Sequence, residues 1–142
     1  FPNREEIFGR QQIMNERDEV TGTKDLLLIN AVSVSFDEVF ALAAAYNGIA
    51  YPAHVDKPST SLLSNLGFVP PDSKFTCAEF HDFNNLHRIR RSHPYFSRCN
   101  VICCSDAHYL EEIHEPEYRL FSRSRKISDI LDALTSPVPA QT

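Results

Sequence analysis

The sequence has no apolar run approaching the roughly 18 to 20 residues that a membrane-spanning helix needs, which argues against a transmembrane protein. Its start, Phe1-Pro2-Asn3-Arg4-Glu5-Glu6, lacks the basic and apolar blocks of a signal peptide. Positive charge is in deficit: 14 Lys and Arg face 19 Asp and Glu, a net charge of -5. That gives no overall attraction to nucleic acid or to an anionic membrane. No two of Cys77, Cys99, Cys103 and Cys104 have the Cys-x2-Cys spacing of a zinc ribbon. There is no internal repeat beyond a strand-helix period and no low-complexity tract. No Gly-, Pro- or Ser-rich linker divides the chain, and Val69-Pro70-Pro71-Asp72-Ser73 reads as a long loop. An initiator Met is also missing, so the expectation is a piece of something longer.

What is present suits one folded domain. With 142 residues, 42% apolar and 23% charged, the chain can bury about two thirds of its unfolded surface in one core. Disorder and fibrous repeats are excluded. The four cysteines are expected to be reduced and structural, with Cys77, Cys103 and Cys104 in apolar runs that read as buried strands. That cysteine usage points to a soluble chain in a reducing cytoplasm.

Three short apolar runs start 26 residues apart, at Ile49, Phe75 and Val101, and extend to Tyr51, Phe80 and Cys104. This is the length of a strand, a helix and two loops. Helices are expected between them, one capped by Ser59 and running to Leu66 before Gly67, another capped by Asp82 and containing Leu86 and Ile89. Upstream lies a further apolar run, Leu26 to Val32. Ser35-Phe36-Asp37-Glu38 then forms a capping box for a helix through Ala45, stopped at Asn47-Gly48. Downstream, Arg119 to Phe121 is a weaker strand candidate, followed by a helix with Ser128 as N-cap and Ile127 as staple, and Pro137 and Pro139 end the order. Continuous apolar strands separated by helices predict an α/β fold with a parallel sheet and right-handed crossovers. Gln11 to Leu28 reads instead as a hairpin or inserted arm.

In parallel α/β folds, chemistry gathers where loops leave the carboxyl ends of strands. Two such loops are distinctive: Pro52-Ala53-His54-Val55-Asp56 after Tyr51, and Ser105-Asp106-Ala107-His108 after Cys104. Asp106 and His108 are two apart, so an extended strand end would turn both to one side. A carboxylate and two imidazoles on one rim are ligand types for zinc, manganese or iron. Glu79 closes the middle strand and is a candidate ligand, base or supporting carboxylate, or a plain lining residue. Asp56 either orients His54 or caps the next helix. His81, His87, His93 and His114 read as exposed or packing residues. Arg88, Arg90 and Arg91, with Arg119, Arg123, Arg125 and Lys126, read as solvated helix faces, with phosphate binding the sharper alternative.

Three stretches, Gly48 to Ser59, Leu62 to Phe68 and Ser105 to Leu110, together closely resemble the PHP (polymerase and histidinol phosphatase) superfamily, and most strongly bacterial stand-alone PHP-domain phosphoesterases. The likeness extends from about Leu26 to Leu134. It implies a distorted seven-stranded, TIM-like β/α barrel of mostly parallel strands. Up to three divalent ions (zinc, manganese or iron) are implied at the strand ends. His54 corresponds to the histidine of the third family motif, and Asp106 and His108 to the Asp-x-His of the fourth. The family draws its other ligands from earlier motifs, including a His-x-His. This chain has no His-x-His and no histidine before residue 49. The pattern therefore fits the C-terminal part of a barrel. Residues 1–24 would form an arm or hairpin leading in, 25–136 the barrel portion and 137–142 a tail.

The resemblance implies phosphoester hydrolysis by metal-activated water, on a small phosphorylated metabolite or a nucleotide phosphodiester. Asp106 and His108 would act in catalysis and metal binding, and His54 in metal binding. The segment alone is expected to be inactive. Its partners would be the missing N-terminal part of the barrel and the substrate. Two alternatives stand beside it: a PHP exonuclease or polymerase-associated nucleic-acid module, which the acidic balance disfavours, and an inactive half-barrel that self-associates through open sheet edges.

Overall fold

The computed structural model describes residues 1–136; the expected end of order at Pro137 and Pro139 lies outside them. The chain divides into two compact units, Phe1–Val34 and the part from Ser35 onward. No helix among the described residues is long and apolar enough to cross a membrane.

The first unit begins with a single helical turn, α1 (Glu5–Phe8), ended by Gly9 at φ 73°. Strands β1 (Gln12–Met14) and β2 (Val20–Thr23) then pair antiparallel, with an irregularity between Ile13 and Met14. Asn15 makes the turn: its side-chain carbonyl accepts from the backbone N–H of Arg17 and Glu19 at 2.9 and 3.0 Å, the local mimicry that suits asparagine to turns. The apolar run Leu26 to Val32 is not a strand. Only Leu26 bridges, to Pro2, while Leu28, Ile29 and Val32 are exposed. The physical reason is that no residue of this unit is buried, so there is no core face for a strand to cover. The Gln11 carboxamide serves the backbone instead, donating to the carbonyls of Lys24 and Leu26 and accepting from the N–H of Leu28.

The second unit is mixed α/β. Ser35 and Glu38 exchange the side-chain and backbone hydrogen bonds of the expected box, but helix α2 (Glu38–Ala45) has Asp37, not Ser35, as its N-cap residue. It stops as Asn47 takes the left-handed conformation (φ 57°). Helix α3 (Leu62–Leu66) is followed by β3 (Cys77–Phe80), a 3₁₀ turn at Phe83–Asn85, α4 (Leu86–Ser92), a second 3₁₀ turn at Pro94–Arg98, and β4 (Asn100–Cys103). β3 and β4 are parallel, with Cys77 opposite Asn100 and Phe80 opposite Cys103. Asp82 caps the first 3₁₀ turn by accepting from the N–H of Asn84. Helix α5 (Ile127–Thr135) closes the described chain.

Among the described residues there is one parallel and one antiparallel pair, and no barrel. Ile49–Tyr51 is not a strand. Pro52 has no N–H to continue a ladder, and the chain first bonds β3 through the Pro52 carbonyl. Arg119–Phe121 is irregular and largely exposed, with no buried face to hold a strand. The N-cap of α3 is Ser61, not Ser59, and Ser128 lies inside α5, whose N-cap is Lys126. Ile127 is exposed and staples nothing.

The core consists of Val55, Leu62, Phe75, Ala78, Phe80, Leu86, Ile89, Phe96 and Cys99. Phe75 is its hub: its ring lies 4.5 Å from that of Tyr95 and about 6 Å from those of Phe36, Phe40 and Phe96. All four cysteines are free thiols. Burial pushes the Cys77 thiol up to about 12 and the Cys99 thiol up to about 11, leaving both protonated and unreactive. Cys104, expected in a buried strand, lies just beyond β4 and is exposed, whereas Cys99, outside any apolar run, is buried.

Ser61 joins this framework to the functional loops. Its hydroxyl accepts from the N–H of Ser64, the Ser64 hydroxyl accepts from the N–H of Ser61, and the Ser61 hydroxyl donates to the carbonyl of Lys57. Gly67 takes the left-handed position that ends the helix (φ 75°). Because Ser61 is buried, Ser61→Ala is expected to cost about 1 to 2 kcal/mol in urea unfolding. Ser61→Asp, which keeps the acceptor, should recover part of that loss.

Candidate functional site

The loop from Pro52 to Lys57 is anchored on β3. The carbonyl of Pro52 accepts from the N–H of Glu79, and the N–H of Val55 donates to the carbonyl of Glu79, at 3.0 and 2.8 Å. A regular parallel ladder would use the N–H one residue earlier, so one extra residue is squeezed out, and that residue is His54. Val55, fully buried, pins the far side. His54 consequently holds φ 32°, a conformation that costs a non-glycine residue free energy. On the neighbouring strand the N–H of Cys104 still bonds the carbonyl of Phe80 at 3.1 Å, and two residues on Asp106 turns at φ 52°. These two residues, both at positive φ, meet: His54 Nε2 lies 3.8 Å from Asp106 Oδ2.

Asp106 also receives the Lys57 ammonium, with Nζ 2.6 Å from the same oxygen. The Lys57 hydrogen bond, reinforced by its charge and by His54 and His108, holds the Asp106 carboxyl below the usual carboxylate range against a smaller effect of burial. The expected extended strand end is not found, since the turn at Asp106 breaks it. Asp106 and His108 border one cleft of about 450 Å³, but the His108 imidazole faces the main-chain carbonyl of Asp106, with Nδ1 at 2.8 Å, rather than its carboxylate. A carbonyl only accepts, so Nδ1 carries the proton and Nε2 is directed elsewhere. The backbone N–H of His108 donates to Glu112.

The supporting carboxylates take other places. Asp56 neither orients His54 nor caps α3. Its oxygens accept from the backbone N–H groups of His81 and Asp82 at 2.7 and 2.9 Å and from the Asn85 side chain at 3.0 Å, so it ties the loop to the chain leaving β3. Burial raises its carboxyl, but the hydrogen bonds together outweigh this and leave it lowered. Glu79 does not border the Asp106 cleft. It sits beside Cys104 and Tyr51, where burial, and after it the Glu79 charge, raises the thiol and the phenol. On β3 this is the face opposite the one that Ala78 and Phe80 turn to the core.

Of the remaining histidines, His87 faces Arg91 on an exposed helix and His93 packs edge-on to Phe96. His81 and His114, expected as exposed or packing residues, both border the Asp106 cleft, with ring centroids 5.8 Å apart. Nothing in their local sequence signals this, because the loop from Ser105 to His114 brings them together through tertiary folding. Lys57 also escaped the sequence reading, since a lysine beside a motif looks like solvated charge. Of the basic residues, Arg88 bonds Asn85, Arg90 the Phe96 carbonyl, and Arg123 pairs with Asp129 and Asp132.

The donors at hand do not by themselves fit a divalent metal ion. Among the described residues no three His, Cys, Asp or Glu side chains converge closely enough to hold one, whereas a catalytic site commonly draws on three protein ligands. His54 and Asp106 supply two, with a cationic side chain already on the carboxylate. His54 Nδ1, the ring nitrogen that does not face Asp106, is buried with no hydrogen-bond partner. No family model, curated protein or solved structure matches the chain.

Proposed function

We propose that the polypeptide to which these residues belong is a metal-dependent phosphoesterase of PHP type, and that this chain is the C-terminal part of its β/α barrel. The observation that carries the reading is the meeting of His54 and Asp106, from loops beside different strands, beyond the carboxyl ends of parallel β3 and β4. The motif likeness at Gly48 to Ser59 and Ser105 to Leu110 supplies the reaction class. In such chemistry, bound ions neutralise phosphoryl charge and lower the pKa of a water. The part of this chain would be to present Asp106 and His108 in one cleft with His54 beside the carboxylate, and Lys57 and His114, which border the same cleft, would offer N–H groups to phosphoryl oxygens. The other donors come from residues outside this segment. β4, paired only with β3 among the described residues, would take the next part of the sheet on its free edge. Free thiols at Cys77, Cys99, Cys103 and Cys104 suit the reducing cytoplasm.

The 142-residue chain, supplied with Zn²⁺ or Mn²⁺, is expected to show no hydrolysis of p-nitrophenyl phosphate or its diester. A longer chain with its upstream sequence should hydrolyse one of them and carry transition metal by elemental analysis. In that chain Asp106→Asn should lower kcat by about 100-fold or more, at least what removal of a ligand-supporting group costs. Turnover by the 142-residue chain would refute the incomplete site, and a longer chain free of transition metal would refute the phosphoesterase reading.

A further inference from the structure

We propose that a second cleft, at the amino ends of β3 and β4, binds a phosphate group, as the free ion or as a phosphomonoester, between Lys74, Arg98 and the hydroxyl of Ser73. The cleft has a volume of about 410 Å³, and its walls come from the residues just before β3 and from the 3₁₀ turn just before β4. The Asp106 cleft lies beyond the carboxyl ends of the same two strands. A strand of four residues spans roughly 13 Å, so the two clefts are separate. The proposal does not depend on the phosphoesterase reading.

Ser73 is only 5% exposed and borders the cleft, yet its Oγ is buried with no hydrogen-bond partner. Buried hydroxyls ordinarily have a partner, and one left alone on the wall of a cleft is completed by what enters. The main chain of Ser73 is already engaged: its N–H donates to the carbonyl of Pro70 at 3.1 Å, and its carbonyl accepts from the Tyr95 phenol at 2.6 Å. Lys74 and Arg98 are exposed on the same cleft, and among the described residues no carboxylate lies within ion-pair distance of either. Arg98 is also held in place, its guanidinium carbon 3.8 Å from the centroid of the Tyr95 ring. That ring is fixed in turn by its phenol, shared between the carbonyls of Ser73 and Phe75, and by the buried Phe75 ring 4.5 Å away. A guanidinium stacked on an aromatic face presents the N–H groups of its edge as a fork that matches two phosphate oxygens. Asp72 borders the cleft as well, so Lys74 and Arg98 against Asp72 leave one net positive charge there, on a chain whose net charge is -5. Asp37, whose charge reaches Tyr95, is not part of the cleft wall.

The isotope-labelled 142-residue chain, titrated by NMR with inorganic phosphate and with methyl phosphate at neutral pH and fixed ionic strength, supplies the test. Amide signals from Ser73 to Thr76 and the side-chain signal of Arg98 should shift and saturate, with a dissociation constant of about 1 mM or weaker, the scale of a few charge-assisted hydrogen bonds discounted for exposure. The tighter of the two probes identifies the free ion or the monoester as the ligand. Lys74→Gln and Arg98→Gln should each weaken binding about threefold to tenfold, and Asp72→Asn should tighten it about threefold. Should Arg98→Gln fail to fold for want of its stack on Tyr95, Lys74→Gln, which alters only an exposed side chain, carries the charge test. Ser73→Ala should weaken binding yet leave thermal unfolding in phosphate-free buffer unchanged or raised, because it removes a buried hydroxyl that has no partner. Lower stability of Ser73→Ala with unchanged phosphate affinity would make that hydroxyl structural and overturn the site. Equal shifts from chloride at the same ionic strength, or phosphate shifts indifferent to Lys74→Gln and Arg98→Gln, would also overturn it. Shifts confined to the Asp106 cleft would overturn it too and leave the phosphoesterase reading standing.

Discussion

Phe80→Ala is expected to lower the unfolding free energy of the second unit by about 3 to 5 kcal/mol, a large fraction of the roughly 5 to 15 kcal/mol that holds an ordinary domain. Phe80 ends β3, is wholly buried, and meets Phe96 edge-on at a centroid distance of 5.8 Å. Alanine there loses the transfer free energy of the ring and leaves a cavity between the strand and the Phe96 turn, both of which are held by backbone hydrogen bonds and close poorly around it. Phe80→Leu, which refills most of the volume, should cost about 1 to 2 kcal/mol. Urea denaturation of both variants and of Phe96→Ala checks the account, and the double variant should show about 1 kcal/mol of coupling from the lost edge-to-face pair. Equal losses for Phe80→Ala and Phe80→Leu would mean that cavity formation is not the cause. The consequence extends to the site, because the Phe80 carbonyl receives the N–H of Cys104 just before the turn at Asp106.

The same strand shows why some of the fold was legible in the sequence. β3 is buried except at Glu79 and β4 is half-buried, and their mainly apolar character marks both, while the Ser35–Glu38 box and Gly67 act through neighbours a few residues away. Ile49 to Tyr51 has equal apolar character, but Pro52 and the bulge at His54 interrupt its pairing with β3, and that interruption is a tertiary event. Leu26 to Val32 failed for the opposite reason: its apolar side chains have no buried face to serve within their own unit. At the site, residue types on strand-end loops singled out His54 and Asp106. Their φ values, the Lys57 ammonium and the turned ring of His108 depend on partners about fifty residues apart or on one backbone turn, and no local pattern encodes them.

Asp56→Ala should cost about 2 to 3 kcal/mol and remove part of the acid sensitivity of the fold. Its carboxylate accepts three hydrogen bonds, from the N–H groups of His81 and Asp82 and from the Asn85 side chain. Bonds to a charged acceptor contribute about 1.5 to 3 kcal/mol each, discounted here because the residue is only half-buried. Asparagine should recover little, since its NH₂ would face donors at Oδ2, where Asp82 and Asn85 both donate. The sign of the pH effect follows from the lowered carboxyl: below the ordinary value of 3.8 the unfolded chain takes up the proton before the folded one. The contribution of Asp56 is therefore fully present above that value and is lost as pH falls through the folded value. Asp106 and Glu38 are also lowered and titrate in both proteins, so they cancel in the difference. Urea midpoints of parent and Asp56→Ala measured from pH 7 to 3 should converge below about pH 4, whereas curves that stay parallel would show that charge at Asp56 is irrelevant. Because Asp56 lies between His54 and Lys57, the variant also frees the loop that presents both to Asp106.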